Sequence, residues 1–348
     1  MTVPAIRALK AGRPGRKVTL LASPAGAAAA GLVPEIDAVM LYDAPWMKAT
    51  APRSSAPDLA LLKRLAAGRF DAAAIFTVYS QNPLPAAMMC FLADIPLRAA
   101  YCRENPYQLL TDRLPETEPQ HGVRHEVRRQ LDLSAALGAA SGDERIALRV
   151  PPPAQRRAAE VLAALRLTPR GPWAVVHPGA SAPSRRYPPE LFAEAAALLV
   201  RRHGVRVVFT GSREEIPLVE HIRGRMRAPS DSLAGRLDVP ELAGLIAAAG
   251  VLVSNNTGPV HLAAGVGTPV AVLYALTNPQ HTPWAVPSRV LNRDVPCRNC
   301  YQSVCPTGHH ECLLGVPPDE VASAAAELLE GEGSGARGSK SVVPGDSV

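Results

Sequence analysis

The chain has 348 residues, of which 47% are hydrophobic and only 4% aromatic, and it carries a net charge of +6. That length allows two domains of ordinary size, each with its own core. It holds no apolar run of the roughly 18 residues a membrane helix needs, and no basic arm, zinc-finger or homeodomain pattern pointing to nucleic acid. The positive balance suits an anionic partner: a nucleotide, a phosphorylated sugar or an acidic membrane surface. Arginines on solvated helix faces would give the same sum.

Residues 1–10 read as a helix, with Pro4 tolerated in its first turn. They hold no basic segment followed by an apolar one, so no signal peptide is expected and the cytoplasm is the default compartment. Strand and helix patterns then alternate, the signature of a parallel α/β architecture. Strands are predicted at 17–22, 38–42 and 72–78, and helices at 58–65, 83–93 and 125–137. The break at Ser141-Gly142-Asp143 and the run Pro151-Pro152-Pro153 mark a link between domains, because three prolines fit neither a helix interior nor a central strand. The expected division is 1–150 and 151–330. In the second part strands are predicted at 173–177, 205–210, 251–254 and 269–273. Helices are predicted there at 188–203, 215–225, 239–249, 259–264 and 318–329. From 331 to 348 the chain is rich in glycine and serine, lacks periodicity and is expected to be disordered.

Three loops of the second part follow strand C-termini, where open α/β sheets bind ligands. The first runs His177-Pro178-Gly179-Ala180-Ser181 and on to Arg185-Arg186-Tyr187-Pro188. Gly179 permits close backbone approach, Ser181 offers a hydroxyl, and Arg185 or Arg186 offers a fork for phosphate. The second is Thr210-Gly211-Ser212-Arg213-Glu214-Glu215. A carboxylate there can accept from ribose hydroxyls, or can simply complement a helix dipole. The third is Ser254-Asn255-Asn256-Thr257-Gly258-Pro259-Val260-His261. Small polar residues and glycine between a buried strand and a helix make an anion site, with backbone N–H groups and the macrodipole favouring negative charge. His261, taken alone, reads as a packing histidine.

In this order and at this spacing, HPGAS…RRYP, VVFTGSREE and VSNNTGPVHLAAGVGTPVAVLYALTNP resemble glycosyltransferase family 9, the ADP-heptose:lipopolysaccharide heptosyltransferases. The resemblance covers roughly 3–329 and is specific between 173 and 314. It implies the GT-B fold, two Rossmann-like domains facing across a cleft, the second holding the nucleotide sugar and the first the lipid-linked acceptor. It implies an inverting transfer of a heptose or similar sugar to a lipopolysaccharide core or related anionic glycolipid, without a cofactor or nucleic acid. The implied place of work is the cytoplasm, peripheral to the inner membrane. On the donor side it implies Arg185 on the phosphates, Glu215 near the ribose and Thr257 with Gly258 in the pyrophosphate loop. Gly179, Ser181, Asn256 and His261 lie beside them. Where this chain has Asn256 the family more commonly has Asp; an amide lacks the charge but keeps an acceptor oxygen and adds two donors, which leaves the donor sugar open. Arg103, Arg124, His125 and Arg128 are acceptor-side candidates for acidic sugars or phosphates, each equally readable as an ordinary surface charge.

Family members usually open with an apolar strand and a Gly-Asp loop before a helix like that of residues 1–10, and the loop aspartate is thought to be the general base. No residue of this sequence matches that position. Asp43 and Asp71 follow other strands and do not fill it, so the catalytic residue stays unassigned. The strands flanking the unmatched one are expected to lose a hydrogen-bonding partner. The expected explanation is a start codon assigned too late rather than a truncated copy. Two rival functions fit the donor half: a nucleotide-sugar epimerase, and a sugar-nucleotide-binding remnant that has lost catalysis.

Of six cysteines, Cys90 and Cys102 read as buried apolar residues. The others, Cys297, Cys300, Cys305 and Cys312, form C-x2-C-x4-C-x6-C with His309 and His310 inside. Four thiolates could close a tetrahedral zinc site. The spacing is tighter than in zinc ribbons, and the stretch resembles one found in many family members not described as metalloproteins. Reduced packing thiols or a redox-labile pair are therefore expected ahead of structural zinc. A catalytic metal is not expected, since no Asp-x-Asp triplet is present to hold a metal diphosphate.

Overall fold

The computed structural model describes residues 1–47 and 54–333. Its first half carries two parallel sheets. One pairs β1 (Thr19–Ala22) with β2 (Ala38–Leu41), and the other has the order β3 (Ala72–Ile75), β4 (Leu97–Cys102), β5 (Asp112–Pro115). Among the described residues the two sheets share no strand, β1 pairing only with β2 and β3 only with β4. The helix Val3–Ala11 buries Ala5, Ile6 and Ala8 and packs against the helix Glu126–Ala136.

Strands β4 and β5 lie outside the sequence expectation. The alanines of β4 have little strand propensity, and Arg98 interrupts its apolar pattern. The fold accommodates that arginine at 9% exposure by turning its guanidinium onto the carbonyl oxygens of Leu109 and Gln108, at 2.9 and 2.8 Å. A charge so satisfied can be buried.

The second half is one six-stranded parallel sheet. Its strands are β6 (Trp173–His177), β7 (Arg206–Phe209), β8 (Asp231–Ser232), β9 (Val251–Asn255), β10 (Val270–Leu273) and β11 (Ser288–Leu291). They lie in the order β11-β10-β9-β6-β7-β8. Both faces are covered. Helices Pro189–His203, Ile216–Met226 and Pro318–Gly333 pack on one face, and Pro152–Leu165, Val239–Ala248 and Gly258–Val266 on the other. Every residue of β6, β9 and β10 is buried. That is why these strands read as continuous apolar runs rather than alternating ones.

Pro152 and Pro153 open the helix Pro152–Leu165, where first-turn N–H groups have no helical acceptor to lose. The last helix runs to Gly333, and the remainder of the expected disordered tail lies outside the described residues. Among the described residues no helix is long and apolar enough to cross a membrane.

The order of strands fixes where a ligand can sit. From β6 the chain moves outward through β7 to β8, then returns to the other side of β6 as β9. The crevice beyond the carboxyl ends of β6 and β9 is thus a topological switch point, the default ligand position in such sheets.

Candidate functional site

Strands β6 and β9 end side by side, with His177 opposite Ser254. The loops after them are stitched together by the buried Asn255. Its Nδ2 donates to the Pro178 carbonyl at 2.7 Å, and its Oδ1 accepts the Tyr187 N–H at 3.0 Å. Sequence reasoning gave Asn255 no role. The available signal was an amide, with both a donor and an acceptor, as the last residue of a buried strand.

The helix Gly258–Val266 starts at the switch point with Thr257 as its N-cap, and the Thr257 hydroxyl makes no capping bond. Pro259 has no N–H and the Val260 N–H donates to Thr257 O at 3.0 Å, so Gly258 carries the opening N–H without a side-chain acceptor, which a bound anion would supply. Approach is open: a Cβ at Gly258 would meet nothing within 4 Å. Asn256 is buried.

Gly179 has a specific reason to be glycine. A Cβ there would stand 1.9 Å from Glu215 Oε1. Glu215 Oε2 in turn accepts the Ser212 N–H at 2.8 Å and lies 3.8 Å from His177 Nε2. The carboxylate is thereby fixed at the ends of β6 and β7, with Gly179 passing against it. Ser181 is exposed on the same loop. The two arginines the sequence left open now differ. Arg186 Nε donates to the Ala180 carbonyl at 2.7 Å, whereas Arg185 Nε is buried without a partner.

Beside Arg185 stands a group of neutral histidines. Burial pushes His261 down to about 3 and His281 down to about 4, and the Arg185 charge adds to both. His261 Nδ1 is buried without a partner. His125 is also pushed down by burial, to about 4. Its Nε2 donates to the Thr282 carbonyl at 3.0 Å, its Nδ1 accepts the Val127 N–H at 3.2 Å, and its ring stacks on Trp284 at 4.3 Å. His125 thus clamps the two halves of the chain together.

The other acceptor-side candidates divide in the same way. Arg124 is committed to Glu118 and Asp132, each at 2.6 Å, and to the Tyr101 hydroxyl at 3.2 Å. Arg128 pairs with Glu144 and lies over Trp284. Arg103 donates to the Glu118 carbonyl at 2.6 Å and lines a cavity. That cavity, about 120 Å³, lies beyond the carboxyl ends of β3 and β4 and is lined by Tyr79, Gln81, Asn82, Tyr101, Arg103 and Glu104 among others. Tyr301, from the second half, meets Tyr79 edge-on at 5.8 Å.

The four clustered cysteines are free thiols lining one small cavity with His309. Cys297 Sγ lies 3.5 Å from His309 Nε2, and Cys305 Sγ 3.5 Å from the Thr307 hydroxyl. Among the described residues no group of three or more His, Cys, Asp or Glu side chains is placed to hold a metal ion. The cysteine loop braces the turn that carries Arg185. Ser184 donates its N–H to Ser303 O at 3.0 Å and its hydroxyl to Gln302 O at 2.7 Å, and His310 Nε2 donates to Ser184 O at 2.7 Å. Ser184→Ala removes the hydroxyl bond, worth ~0.5–1.5 kcal/mol. Acting through Arg185, the loss should lower kcat by roughly 2–10-fold with the donor KM changed less. An unchanged kcat in steady-state kinetics would separate the brace from the role of Arg185.

The model of glycosyltransferase family 9 (heptosyltransferase) matches residues 59–311. Lipooligosaccharide heptosyltransferase 2 of Haemophilus ducreyi is 30% identical over 161 residues, 44% of this chain and 46% of that protein. The chain therefore spans about half the length of that relative. Lipopolysaccharide heptosyltransferase 2 of Salmonella typhimurium is 26% identical over 72% of this chain and 74% of its own length. Among solved structures, a family 9 glycosyl transferase from Veillonella parvula superposes with a TM-score of 0.77 at 18% identity, covering 95% of this chain and 93% of that one. Escherichia coli ADP-heptose lipopolysaccharide heptosyltransferase II gives 0.73 at 22% identity, covering 96% and 95%.

Proposed function

Because the chain belongs to glycosyltransferase family 9 and has the GT-B fold, we propose that it moves a heptose-type sugar from a nucleoside-diphosphate donor to a saccharide of the lipopolysaccharide core, with inversion at the anomeric carbon. The observation that carries the reading is the switch point between β6 and β9, where an open helix N-terminus, the Arg185 fork and the fixed Glu215 carboxylate converge. Such a site suits a nucleoside diphosphate: N–H groups and guanidinium for the phosphates, carboxylate for the ribose. Residues 151–330 take the donor and residues 1–150 the acceptor. Work at the cytoplasmic face of the inner membrane follows from that acceptor.

The cavity at Tyr79 and Arg103 is the acceptor subsite in this reading. Its two amides, its aromatic rings and its single arginine beside Glu104 and Glu116 favour a hydroxyl-rich sugar ring over a bare phosphate.

Incubation with ADP-heptose and a delipidated core oligosaccharide tests the proposal. The expected result is ADP release together with a mass gain of one heptose on the oligosaccharide. Altered ADP-heptose without an acceptor would select an epimerase. Binding with no turnover would select a sugar-nucleotide-binding remnant.

A further inference from the structure

We propose that Cys305 and Cys312 form an oxidation-sensitive pair: a hydroperoxide joins them as a disulfide, and closing that bond loosens the turn that presents Arg185.

The thiols share one place. All four cysteines of the loop are free, and they line one small cavity together with His310 and Ser184. Each of the four is partly exposed, whereas Cys90 and Cys102 are buried, as packing thiols are. Cys297 is engaged by His309 Nε2 at 3.5 Å. Cys312 is the anchored member. It sits in the helix Glu311–Leu314 beside the buried Leu313, and its carbonyl accepts the Arg293 N–H at 3.0 Å. Cys305 is the accessible member. Val304, Pro306, Thr307 and Gly308 around it are exposed, and a turn with Gly308 at φ 77 minus nothing but its own N–H on Cys305 O, at 3.3 Å, shapes the arm.

Their chemistry differs in the direction the step needs. The Thr307 hydroxyl, 3.5 Å from Cys305 Sγ, holds that thiol below its ordinary value, and the N–H groups of His310, Thr307 and Gly308 add to the effect against burial. Burial pushes the Cys312 thiol up, and among the other three cysteines the charge of Cys305 adds most to that. An accessible thiolate meets the oxidant, and a shielded thiol resolves the product.

The step balances. The Cys305 sulfur attacks one peroxide oxygen, the O–O bond breaks, and the hydroxide that leaves is protonated to water. Cys305 is then a sulfenic acid. The Cys312 sulfur attacks it, the S–S bond forms, the S–O bond breaks, and the second hydroxide leaves as water with the Cys312 proton. Two thiols are oxidised and one hydroperoxide is reduced.

The link reaches the site through Ser184. Its three partners, Gln302, Ser303 and His310, flank Cys305, and His310 lies inside the loop that a bond between Cys305 and Cys312 closes. A disulfide draws its sulfurs to about 2 Å, so the segment 306–311 must shift toward the anchored Cys312. His310 then leaves Ser184 O, and the turn carrying Arg185 loses its brace.

Hydrogen peroxide added to the full chain with a chelator, followed by alkylation and peptide mass mapping, tests the pairing. The expected product is a link between Cys305 and Cys312, lighter by two hydrogens and reversed by dithiothreitol. Amide hydrogen exchange over residues 182–186 should rise about 10-fold on oxidation and return on reduction. Transfer should fall by a similar factor and recover with it. Cys305→Ser should keep the basal rate and exchange and lose both the link and the response to peroxide. A link from Cys305 to Cys297 or Cys300, irreversible oxidation without a link, or a link that leaves exchange at 182–186 unchanged overturns the proposal. One equivalent of zinc or iron held by these thiols in the purified protein would overturn it as well. If the reduced wild type transfers no sugar, the transferase reading fails, while mapping and exchange still decide the thiol pair.

Discussion

Arg129→Leu is expected to lower the unfolding free energy by ~3–5 kcal/mol, read as a shift of the urea midpoint. The side chain is 1% exposed, between Glu116 at 4% and Glu118 at 3%. Its guanidinium pairs with both oxygens of Glu116, donates to Thr77 O at 3.0 Å, and lies 4.2 Å from the centre of the Tyr101 ring. Leucine fills much of the volume, so the loss is not mainly a cavity. It is two carboxylates left in an apolar setting, with Arg124 remaining for Glu118 alone. Uncompensated buried charge is the costliest simple change a core can suffer. Arg129→Lys should recover part of the loss, because an ammonium restores charge but cannot fork between two carboxylates while stacking on a ring. A cost below about 1 kcal/mol for the leucine variant would mean that water reaches the pair and that it behaves as a surface bridge. The variant also bears on the proposed function, since Glu116 and Tyr101 line the cavity proposed for the acceptor.

How far the sequence reveals the site depends on how local each part is. The three loops at the strand ends are legible because each lies within a few residues of one strand. Gly179, Glu215 and the Thr257-Gly258 pair need only the α/β alternation to be placed at a sheet edge. The histidine group beside Arg185 is not legible. Its members come from residues 185, 261 and 281, and only the folded chain brings them together. Arg124 and Arg128 mislead in the opposite direction. They read as charges available to a ligand, but each is paired within the protein, and partners such as Asp132 and Glu144 carry no sequence mark of that pairing. The strands show the same division. Continuous apolar runs announced β6 and β9, whereas β5 reads Asp-Arg-Leu-Pro and is a strand only because β4 offers it an edge.

Arg185→Ala should lower kcat by about 10²–10³-fold, the usual loss when one fixed donor to a developing charge is removed. In the proposed transfer the leaving diphosphate gains negative charge as the anomeric bond breaks, and Arg185 is held where that charge appears. Its turn is braced by Ser184, and its Nε has no partner in the protein. The guanidinium therefore need not break a protein bond at Nε to meet the phosphate. The helix N–H groups remain in the variant, so donor affinity should fall less than kcat. Arg185→Lys should recover little, since a flexible point charge does not reproduce the fork. Unchanged kcat/KM would move the phosphate contact to another residue, with Arg186, held by Nε on Ala180 O, the adjacent guanidinium. A second readout is independent of turnover. Burial is the main cause depressing His281, and Arg185 is the next; Arg185 also acts on His261. Removing the guanidinium should raise both imidazoles toward their ordinary value without restoring it, because burial remains. NMR titration of the free protein would show the two histidine signals moving together; if neither moves, Arg185 does not face them.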